Sequence, residues 1–179
     1  MIPPGSPAEE ASPREVRITR TFDAPRSLVW RAWTEVDHLK QWHAPQGCEI
    51  EFKTFEFRAG GSFLSCIRNP AFGECWCIGT YLEIVEPERI VYKMALCDAE
   101  GNLIDPVAAG HDPEWPAETV LTLTFAEEEG KTVHSLHQAV SEELAKRTGA
   151  YPSWLQMLDR LAEQIDGAGQ IEPDVLKRH

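Results

Sequence analysis

The stretch Arg14–Trp42 reads REVRITRTFDAPRSLVWRAWTEVDHLKQW and decides how the fold begins. Polar and apolar residues alternate over its first part, where Val16, Ile18 and Phe22 share one face. Alternation with a period of two is typical of a β-strand that buries one side. We therefore predict that the domain opens with a strand that starts near Arg14.

Two short helices are predicted directly after that strand. Asp23 is a candidate N-cap, Pro25 suits an early helical position, and apolar residues then recur at helical spacing through Glu35. A second helical turn is predicted over residues 36–42, before the turn Pro45-Gln46-Gly47.

Six further strands are predicted after Gly47, over residues 48–57, 62–68, 75–85, 90–97, 119–127 and 131–140. Turn-forming residues such as Gly60-Gly61 separate them, which indicates an antiparallel meander. One connection, Asp98–Glu118, is about 20 residues long and holds three prolines, which is unusually long for a compact domain. It is a candidate lid.

The last predicted element is an amphipathic helix from about residue 152 to 165. Its apolar stripe consists of Trp154, Leu158, Leu161 and Ile165. If the helix starts near Ser141, Gly149 predicts a kink or a division into two segments. The order of elements predicts an α+β fold in which a curved antiparallel sheet wraps around this long C-terminal helix. Such a sheet leaves a cleft beside the helix, which is a common place for a ligand.

Length and charge limit the possible functions. The 179 residues carry 17 Lys+Arg against 29 Asp+Glu, a net charge of −12, which disfavours binding to nucleic acid or to anionic membranes. We expect a disordered tail over 1–13, one domain over 14–166 and a polar tail over 167–179. Without a long apolar run or a signal-peptide pattern, a cytoplasmic location is expected.

Five cysteines, an odd number, are expected to be reduced. Cys75-Trp76-Cys77 has C-x-C spacing and no second pair at a recurring distance, so we predict no metal. The nucleophile elbow, phosphate loop, dinucleotide fingerprint and zinc-protease motif are all missing, and no cofactor is expected.

Several motifs in order resemble the family of activator of Hsp90 ATPase homologue 1-like (AHSA1-like) domains, within the START/Bet v 1-like SRPBCC superfamily. They are residues 18–25, 29–34, His38-Leu39, Trp42, Gly60-Gly61-Ser62-Phe63, 79–85, 87–92, Thr122-Leu123-Thr124-Phe125 and 154–161. The resemblance covers residues 15 to 165 and implies a helix-grip fold with a deep hydrophobic cavity under the C-terminal helix. It implies no single activity, because members of the superfamily bind lipids, polyketides and hormones, and some catalyse cyclisation.

Candidate ligand-contacting residues combine aromatic, sulfur and imidazole side chains. They are Trp42, His43, Phe52, Cys66, Trp76, Tyr92, Met94, His134, Trp154 and Leu158. His43 and His134 stand where relatives usually carry other residues. His134 is interpreted as a core histidine bonded to a neighbouring hydroxyl or carbonyl, with ligand contact as the alternative. His43 fits either a solvent-facing loop or the cavity mouth. No residue is assigned a catalytic role.

Three functions remain open at this point. The first is a binding protein, without catalysis, for a hydrophobic or aromatic small molecule. The second is a cyclase or aromatase acting on a polyketide-like substrate through His134 or His43. The third and weakest is a co-chaperone of an Hsp90-type ATPase. A homodimer is possible, because sheet edges need cover.

Overall fold

The structure, a computed structural model, describes residues 14–71 and 73–178, with side chains as far as Ile165. Its strands are β1 Glu15–Phe22, β2 Glu49–Phe55, β3 Ser62–Asn69, β4 Gly73–Val85, β5 Arg89–Cys97, β6 Glu118–Glu128 and β7 Lys131–Ser141. Its helices are α1 Arg26–Thr34, α2 Val36–Trp42, α3 Glu142–Thr148 and α4 Ala150–Arg178. The tail predicted over 1–13 lies outside the described residues.

All seven strands form one antiparallel sheet in the order β1-β7-β6-β5-β4-β3-β2. From β2 to β7 each strand pairs with the next one along the chain, as a meander requires. The helices α1 and α2 carry the chain from β1 at one edge to β2 at the other. The α+β helix-grip fold predicted from the sequence is confirmed.

Helix α4 lies against the concave face of this sheet. Trp154, Leu158 and Leu161 are at most 4% exposed and belong to the same core cluster as Ile18, Leu123 and Leu136 from the sheet. Burial of such large apolar side chains contributes roughly 1.5–3 kcal/mol each. The apolar stripe read from the sequence is therefore the face that joins helix to sheet.

The interruption predicted at Gly149 divides two helices. Gly149 has φ +91°, a left-handed conformation that suits glycine, and it ends α3 before α4 begins at Ala150. Helix α4 then continues to Arg178, past the expected end near residue 165. The polar composition of this stretch predicted a tail, but polar residues do not prevent the backbone hydrogen bonds of a helix.

The predicted cap of α1 is not formed. Pro25, in an extended conformation, is itself the N-cap and makes no side-chain cap bond, and the Glu127 carboxylate accepts the Arg26 amide at 3.2 Å. The Pro25 carbonyl accepts the amide of Leu28 at 3.0 Å, so the first turn closes without the Asp23 carboxylate. By contrast, the Ser141 hydroxyl caps α3 by accepting the Leu144 amide at 3.2 Å.

Candidate functional site

A cavity of about 90 Å³ lies between the sheet and α4. We call it the inner chamber. Its walls come from α1, α2, α4 and strands β2 to β6, and they are Trp33, Leu39, His43, Ile50, Phe52, Phe63, Ser65, Ile67, Cys77, Tyr81, Ile90, Tyr92, Met94, Leu123, Trp154 and Met157. None of these lining residues is Asp, Glu, Lys or Arg. Burial raises the pKa of Tyr81 and Tyr92 above the ordinary range, so both phenols stay neutral.

The shape of the inner chamber depends on Gly79 in β4. A Cβ atom at Gly79 would lie 2.1 Å from the Phe63 ring, which is far inside van der Waals contact. The missing side chain lets the Phe63 ring lie directly over the backbone of β4. The same ring lines the inner chamber, so this glycine sets the position of one wall.

A second, wider cavity of about 950 Å³ adjoins the inner chamber. We call it the vestibule. The two cavities share Ile67, Cys77, Met94 and Met157 in their walls. The vestibule is also lined by Glu74, Cys75, Leu96, Thr119, Ser153 and by residues 109–113, 115 and 117 of the long loop. Methionine side chains are flexible, so the boundary between the two cavities can adjust to an occupant.

The loop of residues 98–117 is tied to α3 at the vestibule. Arg147 of α3 donates to both carboxylate oxygens of Asp112, at 3.2 and 3.3 Å, and also pairs with Glu114. The Glu114 amide and the Arg147 guanidinium hold the pKa of Asp112 below its ordinary range. The candidate lid is thus held over the vestibule by exposed ion pairs.

His43 follows helix α2 and lines the inner chamber. Its ring is surrounded by three indoles, with centroid distances of 5.5 Å to Trp33, 5.1 Å to Trp42 and 5.7 Å to Trp154. Its Nδ1 atom is buried and has no hydrogen-bond partner among the described residues. Burial lowers the pKa of the imidazole to about 4, against a smaller opposing effect of its own backbone, so the ring is neutral at pH 7.

Helix α4 holds the segment that carries His43. The Arg160 guanidinium donates to the carbonyls of Gln41, at 3.0 Å, and of Pro45, at 3.3 Å, on either side of His43. Gln156 also accepts the backbone amide of Gln46 at 3.0 Å. These bonds hold the backbone on both sides of His43 and so fix the position of its imidazole.

His134 has the opposite environment, with both ring nitrogens bonded. Trp33 Nε1–H donates to His134 Nε2, and His134 Nδ1 lies 3.0 Å from the Thr124 carbonyl, which accepts its proton. The ring also stacks on Phe125 at a centroid distance of 4.6 Å. Burial lowers the pKa of His134 to about 4. This geometry is that of a core histidine bonded to a carbonyl.

The structure separates the ten residues proposed from the sequence. Those that line the inner chamber are His43, Phe52, Tyr92, Met94 and Trp154. Those placed elsewhere are Trp42, Leu158, His134, Cys66 and Trp76. The first three are core residues at most 1% exposed. Cys66 pairs with Trp76 across β3 and β4, and both alternate with residues that line the chamber, so they belong to the opposite sheet face.

Several chamber residues were not proposed from the sequence, among them Trp33, Phe63 and Tyr81. Residues two apart on a strand share one face, so the proposal of Tyr92 and Met94 as chamber residues also implies Ile90. The lateral register that aligns Phe63 with Gly79 has no signal in a single sequence.

The described residues give no metal centre: no group of three or more His, Cys, Asp or Glu is arranged to hold an ion. In the same part of the chain, no helix is both long and apolar enough to cross a membrane.

Comparison with known proteins decides the family. The family model described as activator of Hsp90 ATPase homolog 1-like protein matches residues 23–166. The chain belongs to this family. The resemblance carried by the sequence motifs is thereby confirmed. No curated protein matches the chain.

Solved structures share the fold over most of this chain. A crystal structure of a protein from Chromobacterium violaceum has a TM-score of 0.69 at 24% identity, covering 86% of this chain and 98% of that one. A solution structure from Staphylococcus epidermidis has a TM-score of 0.71 at 24% identity, covering 88% and 92%. The AHSA1 protein from Silicibacter pomeroyi has a TM-score of 0.66 at 16% identity, covering 86% and 98%. Similarity at this level concerns the fold alone.

Proposed function

We propose that this AHSA1-family chain binds a small, mostly apolar molecule that carries one hydrogen-bonding group. The apolar end occupies the inner chamber, the polar group bonds to His43, and the rest of the molecule lies in the vestibule. One observation carries this proposal: the buried His43 Nδ1 has no partner among the described residues, and the His43 side chain lines a chamber that has no charged residue in its wall. A buried nitrogen left unpaired costs about 1–3 kcal/mol, which a ligand that bonds to it recovers.

The two volumes set the size of the ligand. The inner chamber, at about 90 Å³, is smaller than the roughly 150 Å³ apolar cavity that accepts benzene. It therefore takes a short alkyl group as it stands, and a ring once Met94 and Met157 move aside. A larger hydrophobic ligand needs the vestibule as well. Apolar burial supplies most of the affinity, at about 25 cal/mol per Å², and His43 supplies orientation.

Methionine-methyl NMR tests the proposal. The sequence has three methionines, and two of them, Met94 and Met157, lie in the wall shared by both cavities. With ¹³C-methyl-methionine labelling and p-cresol as the probe, we expect saturable shifts of both signals, assigned through Met94→Leu and Met157→Leu. A titration up to the solubility limit of p-cresol that moves neither signal would refute the proposal.

The cyclase function has less support than the binding function. A cyclase needs groups that act on a substrate as acid and base, and no carboxylate accompanies His43 among the residues that line the inner chamber. A binding role is therefore proposed without a reaction. The co-chaperone role, a homodimer, the exclusion of nucleic acid and membrane partners, and a cytoplasmic location stay predictions.

A further inference from the structure

A chain of buried hydrogen bonds runs from α4 across the sheet to the vestibule. The Trp154 indole of α4 donates from Nε1 to Oε1 of Gln138 in β7 at 3.0 Å. The Gln138 amide donates in turn from Nε2 to the hydroxyl of Thr119 in β6 at 3.2 Å. Gln138 is 1% exposed and Thr119 is 4% exposed, so these bonds are shielded from bulk water. Trp154 lines the inner chamber and Thr119 lines the vestibule.

The first donor fixes the direction of all these bonds. An indole nitrogen donates a hydrogen bond but does not accept one, so the Gln138 atom that faces Trp154 must be the carbonyl oxygen. The other end of that amide is then the NH2 group, which only donates. The Thr119 oxygen must therefore accept this bond, and its own proton has to find an acceptor elsewhere.

The Thr119 proton has no acceptor among the described residues, where the Gln138 amide is the hydrogen-bond partner of this side chain. Thr119 lies on the buried face of β6, between the exposed Glu118 and Val120. Its neighbour across the sheet is Met94 of β5, which lies in the wall shared by both cavities. Buried donors in proteins are nearly always paired, so an acceptor is expected here from outside the described chain.

Helix α4 begins at the same cavity. Gly149, Ala150 and Ser153 line the vestibule, and the amides of a first helical turn lack acceptors within their own helix. The N-terminal end of a helix also attracts the negative end of a dipole. Together with the Thr119 hydroxyl, this end of α4 makes the vestibule suited to a group that accepts hydrogen bonds.

The charges in the wall indicate that this group is neutral. The residues that line the vestibule include the carboxylates Glu74 and Asp112 but no Lys or Arg. An anion would lose its hydration there without a Lys or Arg in the wall to replace it, which is costly. A neutral carbonyl oxygen accepts hydrogen bonds without that cost.

A second buried hydroxyl, on Ser65, lines the inner chamber and serves as a comparison. It is 4% exposed and has no hydrogen-bond partner among the described residues. Because no neighbour fixes its role, this hydroxyl can donate to a ligand or accept from one. Thr119 differs because its oxygen already accepts from Gln138, so an acceptor for its proton is what it lacks.

We propose that the part of the ligand that lies in the vestibule carries a neutral carbonyl group, as in a ketone, ester or amide, and that Thr119 donates a hydrogen bond to its oxygen. Gln138 is the positioning residue, because its amide leaves the Thr119 proton free for the ligand. This inference rests on the proposed function and adds a second polar group to the one that bonds to His43.

Acetophenone and ethylbenzene are the probes, because they differ in the exchange of a carbonyl group for a methylene group. The methionine-methyl titration gives the Kd of each, and the carbonyl preference is the Kd of ethylbenzene divided by the Kd of acetophenone. Thr119→Val keeps the branched shape without the hydroxyl, so this ratio should fall about fivefold from its wild-type value. Thr119→Ser keeps the hydroxyl and should keep the ratio. Ser65→Ala is the matched control and should also keep it.

Two further measurements guard against a variant that does not fold. Thr119→Ala leaves room for a water molecule beside the Gln138 amide and should give the same loss as Thr119→Val. The infrared carbonyl band of bound acetophenone moves to lower wavenumber when the oxygen accepts a hydrogen bond. This band should therefore lie lower in wild type than in either variant that lacks the hydroxyl.

The same carbonyl preference in wild type, Thr119→Val and Thr119→Ala would overturn this inference, as would an equal loss in Ser65→Ala. If p-cresol moves the methionine signals and the preference for acetophenone does not depend on Thr119, this inference alone fails. If acetophenone binds with that dependence and p-cresol moves neither signal, this inference stands and the proposed role of His43 fails. If neither molecule binds, both are refuted.

Discussion

The Trp33 indole donates a 3.0 Å hydrogen bond to Nε2 of His134, and the same indole ring packs 5.5 Å from the ring of His43. One tryptophan thus contacts two imidazoles, one in the core and one in the chamber wall. His134 has both nitrogens bonded and belongs to the core, whereas His43 has an unpaired Nδ1 in the chamber wall. The two histidines are therefore a matched pair for separating stability from binding.

His134→Leu should lower the free energy of unfolding by about 2–4 kcal/mol, because it leaves the buried Trp33 N–H without its acceptor and removes the imidazole donor from the partly buried Thr124 carbonyl. Urea unfolding at pH 7 measures this change. His137→Leu, on the outer face where His137 pairs with Glu15, is the control and should cost less than about 1 kcal/mol. Equal losses in the two variants would contradict the assignment of His134 to the core.

Stability should fall as the pH drops from about 6.5 toward 4. The folded-state pKa of His134 is about 4, below the unfolded value near 6.5, so in this window the unfolded chain binds a proton that the folded chain does not. At pH 5 this group alone should cost about 2 kcal/mol relative to pH 7. His43 acts in the same direction, since its pKa is also about 4.

Comparison of wild type with His134→Leu isolates the effect of His134. Urea unfolding of both chains at pH 7 and pH 5 should show a smaller loss in the variant. Identical losses would mean that folding does not lower the pKa of His134.

Gly79→Ala should destabilise the domain by about 1–3 kcal/mol and close the inner chamber, because the new Cβ pushes the Phe63 ring off β4. The p-cresol shifts of Met94 and Met157 should weaken in parallel. In a Phe63→Leu background most of the cost of Gly79→Ala should disappear. If the two unfolding costs are simply additive, contact between this ring and the strand is not the cause.

Arg147→Gln should loosen the long loop without unfolding the domain. It removes the pairs to Asp112 and Glu114, which are exposed and worth less than about 1 kcal/mol in stability. Hydrogen exchange of amides in residues 105–117 should become faster. Arg58→Gln, which removes an exposed pair with Glu56, serves as the control and should leave exchange in that segment unchanged. Unchanged exchange in Arg147→Gln would show that other contacts hold the loop.

The sequence predicted the elements well where a single periodicity decides them. The alternation from Val16 to Phe22 and the stripe from Trp154 to Ile165 each match a buried face in the structure. Helix α2 has the bounds predicted for it, Val36–Trp42. The strand alternation and the helical stripe are both set by residues close together in the chain, so the sequence alone is enough to predict these elements.

The site was less predictable because it depends on relations between distant strands. Cys66 and Trp76 were both proposed as ligand-contacting residues, but β3 and β4 pair them with each other on the face opposite to Cys77, which lines the chamber. A shift of one residue in register exchanges the two faces, and nothing local to either strand fixes it. His134 was interpreted as a core histidine, but its partners Trp33 and Thr124 come from other elements and could not be named from the sequence. His43 was left between a solvent-facing loop and the cavity mouth, because its surroundings also come from distant elements.

The central claim is that His43 is the hydrogen-bonding point of an apolar binding cavity, and a matched pair of ligands tests it most directly. p-Cresol and p-xylene differ by one hydroxyl group, and calorimetric titration of each into wild type and His43→Leu gives four affinities. The preference for p-cresol is the Kd of p-xylene divided by the Kd of p-cresol. This ratio should be about fivefold larger in wild type than in His43→Leu, because one net hydrogen bond contributes about 1 kcal/mol. His134→Leu, in the fraction that is folded, should keep the wild-type preference. The same ratio of affinities in wild type and His43→Leu would contradict the account.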